Sequence, residues 1–214
     1  MKIAVLGATG ATGRQVIAQA LARGDQIVAY VRNPQGITAK PGLKVVVGPL
    51  SDTSALKTAI SGTDAVLVCL GTHKMKPVDL LQKSMPLIIG TMKEVDVARL
   101  VLLSAYGVGE TALTAGFFAR IVYKKMVPAI YRDKELSEAL LPGSGLKWTG
   151  VYPVGLTNGP LTDAAEVRSM ALVRKVSGLP RVSRANVARA MLDAARNDQT
   201  IGQKLLVSSK GSVR

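Results

Sequence analysis

The chain is poor in the residues that build the commonest protein sites. Its 214 residues include one cysteine, Cys69, and one histidine, His73. A lone cysteine forms no internal disulfide, and these two residues supply too few ligands for a cluster with zinc spacing, so no metal site is expected. Aromatic residues make up 4% of the chain, which leaves little for stacking nucleic-acid bases. No run of about 18 apolar residues occurs, and Met1-Lys2 leads straight into an apolar run, so neither a membrane span nor a secretory leader is expected. The expectation is a soluble, cytoplasmic protein. No linker or low-complexity stretch interrupts the sequence, which reads as one domain over residues 1–214. Acidic residues are scarce as well: 14 stand against 28 basic ones, for a net charge of +14, with the basic side chains densest between Arg168 and Arg196. With so few aromatics beside it, this surplus reads as a solvated surface that attracts anions rather than as a nucleic-acid groove.

What the chain does have is concentrated at its start. Ile3-Ala-Val-Leu-Gly-Ala-Thr-Gly-Ala-Thr-Gly13 joins an apolar β-type run to a turn with Gly7, Gly10 and Gly13 at three-residue spacing. A strand that stops and reverses into a helix needs unusual backbone angles, which Gly7 supplies. Gly10 lets a pyrophosphate approach the backbone, and Gly13 lets the helix pack closely on the strand. The N–H groups of the first helical turn then face the anion, and the helix dipole favours its charge. Val16, Ile17, Ala20 and Leu21 recur at helical spacing, Gly24 closes the helix, and Gln26-Ile-Val-Ala-Tyr-Val31 reads as a second strand. The pattern is that of a dinucleotide-binding βαβ unit. An Asp or Glu after the second strand would accept from the ribose 2′-OH of NAD; this chain has Arg32, followed by Asn33 and Pro34. A guanidinium pairs with a 2′-phosphate instead, which selects NADP(H). Arg14 is a candidate second contact to the same phosphate.

The βα alternation continues through strand Leu43–Val47, helix Thr53–Ile60, strand Ala65–Leu70, helix Pro77–Lys93 and strand Ala98–Leu103. A glycine-containing loop over Ser104–Thr114, a helical stretch ending near Leu141, and strands Lys147–Val151 and Lys204–Ser208 follow. The fold class is α/β, a single-domain doubly wound Rossmann fold with a mainly parallel sheet. Cys69, within an apolar strand, reads as core filler. Ser183 reads as the N-cap of a late amphipathic helix with Val187, Ala190 and Met191 on its inner face; the part from about 152 to 200 is expected to cover the substrate side. Ligands of open α/β sheets bind beyond the carboxyl ends of the strands. That rule selects Gly71 and Thr72, Ser104 where the nicotinamide should lie, and Tyr152-Pro153-Val154, whose backbone is suited to bond the carboxamide. His73, in a loop with Lys74 and Lys76, either borders the pocket or is simply solvated.

These residues resemble the atypical short-chain dehydrogenase/reductase superfamily, the NmrA-like and NAD(P)H-binding proteins, and within it the branch of the biliverdin-IXβ and flavin reductases. The matching motifs are Gly7-Ala-Thr-Gly-Ala-Thr-Gly13, Val31-Arg-Asn-Pro34, and Lys134-xxx-Glu138 leading to Ser144-Gly-Leu-Lys-Trp-Thr149. Val46-Val-Gly48, Leu70-Gly-Thr72 and Gly159-Pro-Leu-Thr162 also match in order and spacing. The resemblance implies hydride transfer from NADPH to a planar conjugated acceptor such as a flavin or a linear tetrapyrrole. It also implies that Gly7, Thr9, Gly10, Ala11, Thr12 and Gly13 hold the pyrophosphate and that Arg32 holds the 2′-phosphate. Leu50, Leu70, Gly71 and Thr72 then border the cofactor, Ser104 is the active-site serine, and Tyr152 and Pro153 stand at the nicotinamide wall.

One further absence bears on mechanism. No tyrosine is followed by lysine four positions on: Tyr30, Tyr106, Tyr123, Tyr131 and Tyr152 lead to Pro34, Glu110, Val127, Glu135 and Leu156. The Tyr-xxx-Lys acid that protonates a developing alkoxide is therefore missing. A flavin or bilin spreads the incoming charge and takes its proton from water, so it needs mainly positioning. Lys134 remains a catalytic candidate, alone or with Tyr131, since related reductases use a lysine in this region; the alternative is an exposed helical lysine paired with Glu138. The alternative function is an NmrA-like redox sensor that binds NADP(H) without turnover and acts through a protein partner. An epimerase or dehydratase with retained cofactor is a third reading, and the missing Tyr-xxx-Lys argues against it. Partners are otherwise a small-molecule acceptor and neither membrane nor nucleic acid; monomer and oligomer stay open.

Overall fold

A computed structural model describes residues 1–72, 78–116 and 128–214. His73, Lys74, Lys76, Pro77 and Tyr123 lie outside the described residues. The strands are β1 (Lys2–Leu6), β2 (Gln26–Val31), β3 (Leu43–Val47), β4 (Ala65–Val68), β5 (Arg99–Leu103), β6 (Lys147–Pro153), β7 (Gly155–Thr157), β8 (Ala165–Ser169), β9 (Arg181–Ser183) and β10 (Gln203–Ser209). The described helices are α1 (Ala11–Ala22), α2 (Thr53–Ile60), α3 (Leu80–Glu94), α4 (Pro128–Glu138) and α5 (Arg184–Arg196). Eight strands form one sheet in the order β3-β2-β1-β4-β5-β6-β10-β8, and β7 and β9 form a separate parallel pair. The large sheet is parallel except where β8 runs antiparallel to β10. The doubly wound Rossmann architecture expected from the sequence is therefore present.

The continuous apolar runs of β1, β4 and β5 follow from burial on both faces, which parallel sheets require. Ile3 and Val5 of β1, Leu67 of β4 and Val101 of β5 pack with Val16 and Ile17 of α1 and Val187 and Met191 of α5. The alternate residues Ala4, Leu6, Val66, Leu100 and Leu102 pack on the other face with Leu56 of α2 and Met85 and Ile88 of α3. Each fully buried Leu, Ile or Met contributes roughly 1.5–3 kcal/mol. Register brings the carboxyl ends of the central strands level: Leu6 aligns with Val68, Val68 with Leu102, and Leu103 with Val151. The segments after these strands consequently share one edge of the sheet.

Differences from the sequence reading are local. β4 stops at Val68, although the Cys69 N–H still donates to the Leu6 carbonyl at 2.8 Å. β6 continues to Pro153, two residues past the expected end. β7, β8 and β9 were not expected; the two of three residues and the half-exposed Ala165-Glu-Val-Arg-Ser169 carry too little apolar alternation to stand out. Part of the expected Ser104–Thr114 loop is a 3-10 turn over Gly109–Thr114. Ser183 does cap α5, its Oγ accepting from the Asn186 N–H at 3.1 Å.

Two buried charged side chains tie the elements together. The Asp133 carboxylate, on α4, accepts from the N–H groups of Leu81 and Gln82 at 3.0 Å each and so caps α3, whose own N-cap residue Asp79 makes no such bond. The Arg99 guanidinium, at the start of β5, donates to the Lys147 carbonyl at 2.6 Å, Thr149 Oγ1 at 2.8 Å, the Ala194 carbonyl at 2.5 Å and Thr200 Oγ1 at 2.9 Å. It joins β5 to β6, to the carboxyl end of α5 and to the turn before β10. Arg99→Met, apolar and of similar reach, removes these four charge-assisted bonds from the interior, and urea unfolding should show a loss of roughly 3 kcal/mol.

Candidate dinucleotide and active site

Gly7 has φ +83°, and a Cβ there would lie 2.6 Å from the Cys69 carbonyl oxygen. Only glycine allows the end of β1 to turn while lying against the end of β4. The Gly10 N–H donates to the Gly7 carbonyl at 3.0 Å and closes the turn. A Cβ on Gly13 would lie 2.3 Å from that same carbonyl, which is why α1 can start so close to β1. Gly10 is the N-cap of α1, with no side-chain cap and no acidic residue in the first turn. Thr9, Gly10 and Ala11 are exposed, while Thr12 is buried beneath them. An uncapped helix end behind an exposed glycine turn presents N–H donors and positive potential to an anion. These residues fit a pyrophosphate.

Arg32 is exposed, one residue past β2, and makes no hydrogen bond or ion pair among the described residues. Arg14 behaves differently from the expected phosphate contact. Its Nε donates to the Thr9 carbonyl at 2.9 Å and its Nη1 to the Gly36 carbonyl at 3.1 Å, so it clasps the glycine turn to the loop after β2. Leu50 is half-buried after β3 against the core between α2 and the sheet, in a segment anchored by the Tyr30 hydroxyl donating to the Pro49 carbonyl at 2.8 Å. Leu70 and Thr72 are half-buried; Gly71 is exposed, with open space where a side chain would stand. Cys69 is buried, and its thiol is pushed up to about 12 by that burial, so it is unreactive core as expected.

Ser104 follows β5 directly and is 4% exposed, its N–H donating to the Val151 carbonyl at 2.8 Å. Its hydroxyl is hydrogen-bonded to Glu138 Oε1. The other carboxyl oxygen, Oε2, accepts from the Tyr152 hydroxyl at 2.6 Å. Lys134, one turn earlier on α4, is not the exposed partner of Glu138 that helical spacing allows. It is 9% exposed, and its Nζ donates to the Leu103 carbonyl at 3.1 Å. Nor does it pair with Tyr131, whose hydroxyl donates to the Tyr106 carbonyl at 3.1 Å. Burial lowers the Lys134 ammonium below the ordinary lysine value, against the pull of Glu138 and Asp133. Burial likewise raises the Glu138 carboxyl above the usual glutamate range, opposed by the bonds from Ser104 and Tyr152 and by the charges of Lys134 and Lys204. Burial and the neighbouring Glu138 push the Tyr152 phenol upward, so it stays protonated.

The Tyr152 side chain is fully buried and turned inward to Glu138, and the Pro153 carbonyl accepts from the Tyr106 N–H at 2.9 Å. Glu138 was read from the sequence only as a partner for Lys134. The available signal was Tyr152 itself: a tyrosine in a buried strand needs an acceptor for its hydroxyl, and a glutamate sharing a helix face with Lys134 is a candidate. Much of the basic stretch is held within the molecule: Arg168 pairs with Glu166, Arg189 with Asp163 and Arg196 with Asp25, while Arg184 donates to Asn158. No helix among the described residues is long and apolar enough to cross a membrane.

Residues 7–198 match the profile of a family described as NAD(P)H-binding. The chain belongs to the NAD(P)H-binding family. This NAD(P)H-binding chain is 30% identical over 219 residues to oxidoreductase stcQ of Emericella nidulans, covering 91% of this chain and 77% of the relative. It is 30% identical over 177 residues to (4-alkanoyl-5-oxo-2,5-dihydrofuran-3-yl)methyl phosphate reductase of Streptomyces griseus, covering 82% of this chain. The match spans only 55% of the Streptomyces protein. Among solved structures, a short-chain dehydrogenase/reductase from Veillonella parvula in complex with NADP superposes with a TM-score of 0.83 at 18% identity, over 100% of this chain and 96% of that one. ChuY, an anaerobillin reductase from Escherichia coli O157:H7, gives 0.79 at 22% identity, over 99% and 98%. The family match bears out the expected NAD(P)H-binding assignment, and the solved structures share the expected Rossmann fold.

The glycine turn yields a direct check. In Gly13→Ala the new methyl meets the Gly7 carbonyl and must displace either the turn or α1. NADPH binding, followed by fluorescence titration, should weaken at least about tenfold, equivalent to 1.4 kcal/mol, with the helical circular dichroism retained.

Proposed function

We propose that the chain is an NADPH-dependent reductase transferring hydride to a planar conjugated small molecule of flavin or bilin type. The observation that carries this reading is a juxtaposition. Register sets the exposed, uncapped glycine turn after β1 level with Ser104 after β5, with one strand between them. The turn residues Gly7, Thr9, Gly10, Ala11, Thr12 and Gly13 would hold the pyrophosphate, and Arg32 the 2′-phosphate. Leu50, Leu70, Gly71 and Thr72 would border the cofactor. When bound, NADPH supplies the hydride. The role of Ser104 is to orient the reacting groups, with its hydroxyl direction fixed by Glu138 and Tyr152 behind it. Pro153, the last residue of β6, stiffens the wall beside it, and Tyr152 contributes from within rather than as a lining group. Lys134 is locked by the Leu103 carbonyl and holds positive charge behind the serine.

Two measurements test the reading. Arg32→Glu places a carboxylate where a 2′-phosphate would sit; loss of a charge-assisted bond, about 1.5–3 kcal/mol, should raise the Kd for NADPH roughly 10–100-fold and leave that for NADH unchanged or lower. NADPH oxidation with FMN as acceptor should be measurable by absorbance, and Ser104→Ala should lower kcat about tenfold or more with little change in NADPH binding. NADPH binding without turnover on FMN or biliverdin would overturn the reductase reading and favour the redox sensor.

A further inference from the structure

Of the buried charged side chains, Asp133 caps a helix and Arg99 bridges carbonyls and hydroxyls; Glu138, half-buried beside them, does neither. Its half-buried carboxyl lies between two neutral hydroxyls, with no ion pair among the described residues. Such a group contributes little to stability that apolar side chains would not contribute better. Its placement makes sense for handling a proton.

We propose that Glu138, acting through the Ser104 hydroxyl, delivers the proton needed by acceptors that develop localised negative charge, so that the site also reduces conjugated carbonyl compounds of the enone class. The proposal rests on the reductase reading above.

The hydrogen-bond directions define the relay. The Tyr152 phenol is raised and keeps its proton, so at 2.6 Å it donates to Glu138 Oε2. A proton on the carboxyl therefore belongs to Oε1, which faces Ser104 Oγ. With Glu138 as the acid, Oε1 donates to Ser104, and the serine's own hydrogen is released toward a bound acceptor. With Glu138 as the carboxylate, Ser104 donates back to it. The two arrangements differ by one proton and no heavy-atom movement. Burial favours the acid form. Opposing charge comes from Lys134 on α4 and from Lys204 on β10, the latter neutralised by Glu110 at 2.6 Å. Lys134 is held at the Leu103 carbonyl, so it stabilises the carboxylate left after delivery without ion-pairing with the acid beforehand.

The chemistry balances. Once the β-carbon of a conjugated ketone has gained a hydride, the C=C electron pair forms an enolate. The enolate oxygen takes the Ser104 proton, Ser104 Oγ takes the Glu138 proton, and Glu138 is left as a carboxylate that regains a proton from water. The two electrons come from the reduced dinucleotide. In this way the chain replaces the proton donor that the missing Tyr-xxx-Lys pair would have supplied. A flavin, which spreads the charge, depends on the relay less.

Glu138→Gln keeps an acceptor for Tyr152 and the side-chain shape, and it tests the relay in two ways. In an infrared-monitored titration, the unmodified protein should show a carboxylic-acid carbonyl band that persists above the pH at which ordinary glutamates lose theirs and that the variant lacks; this needs neither cofactor nor turnover. In assays with NADPH, the variant should lose about 100-fold in kcat on 2-cyclohexen-1-one, within the range for general acid catalysis. The alkaline limb of its kcat–pH profile should disappear, and the loss on FMN should be markedly smaller. Absence of the acid band, equal losses on the two acceptors, or an unchanged pH profile would overturn the relay while FMN reduction by the unmodified protein left the reductase reading standing. No reduction of any acceptor by the unmodified protein would overturn both.

Discussion

Burial of the central sheet on both faces governs everything polar in this molecule. With α1 and α5 on one side and α2 and α3 on the other, side chains from the interiors of β1, β4 and β5 pack into two apolar clusters. An unpaired polar group placed there would cost several kcal/mol. Chemistry is therefore confined to the residues just past the strands, and a level register sets those residues side by side. The glycine turn after β1 and the serine after β5 are neighbours for that reason, although nearly a hundred residues of sequence separate them.

The exception is α4, which turns two buried ionisable groups and one half-buried one toward the sheet, each with a different solution to desolvation. Asp133 meets two backbone N–H groups and completes the end of another helix. Lys134 meets a single carbonyl, and burial outweighs the attraction of nearby acids in setting its direction of shift. Glu138 meets two hydroxyls, and burial again outweighs the rest. The first contact fixes where the helix sits; the other two fall beneath Ser104 because of it.

Periodicity in the sequence was enough for the sheet, its parallel sense and the helix faces, because continuous apolar runs and 3.6-residue spacing come directly from burial. Gly7 and Gly13 were recognisable because backbone contacts leave no room for another side chain. The short strands β7 and β9 and the antiparallel β8 escaped, since a strand of three residues or a half-exposed edge leaves no apolar signature. At the site, spacing showed that Lys134 and Glu138 share a helix face but not which way that face points. An i,i+4 pair on a solvated face forms an ion pair; on a buried face each group goes to whatever polar atom the neighbouring strand ends provide. That information lies in the docking of α4, a contact between segments far apart in sequence.

Arg14 carries an implication for how cofactor choice is built. Its guanidinium joins the carbonyl of Thr9, in the turn proposed to hold the pyrophosphate, to the carbonyl of Gly36, in the loop that begins with Arg32. Gly36 adopts φ +79°, and a side chain there would press on the same guanidinium at 3.0 Å. On the proposed reading, the grip on the diphosphate and the discrimination at the ribose are mechanically linked through one residue. If Arg32 reads the ribose as proposed, natural variants that drift at Arg14 or Gly36 would alter selectivity without touching it, and attempts to convert the chain to the other dinucleotide have three positions to treat as a unit.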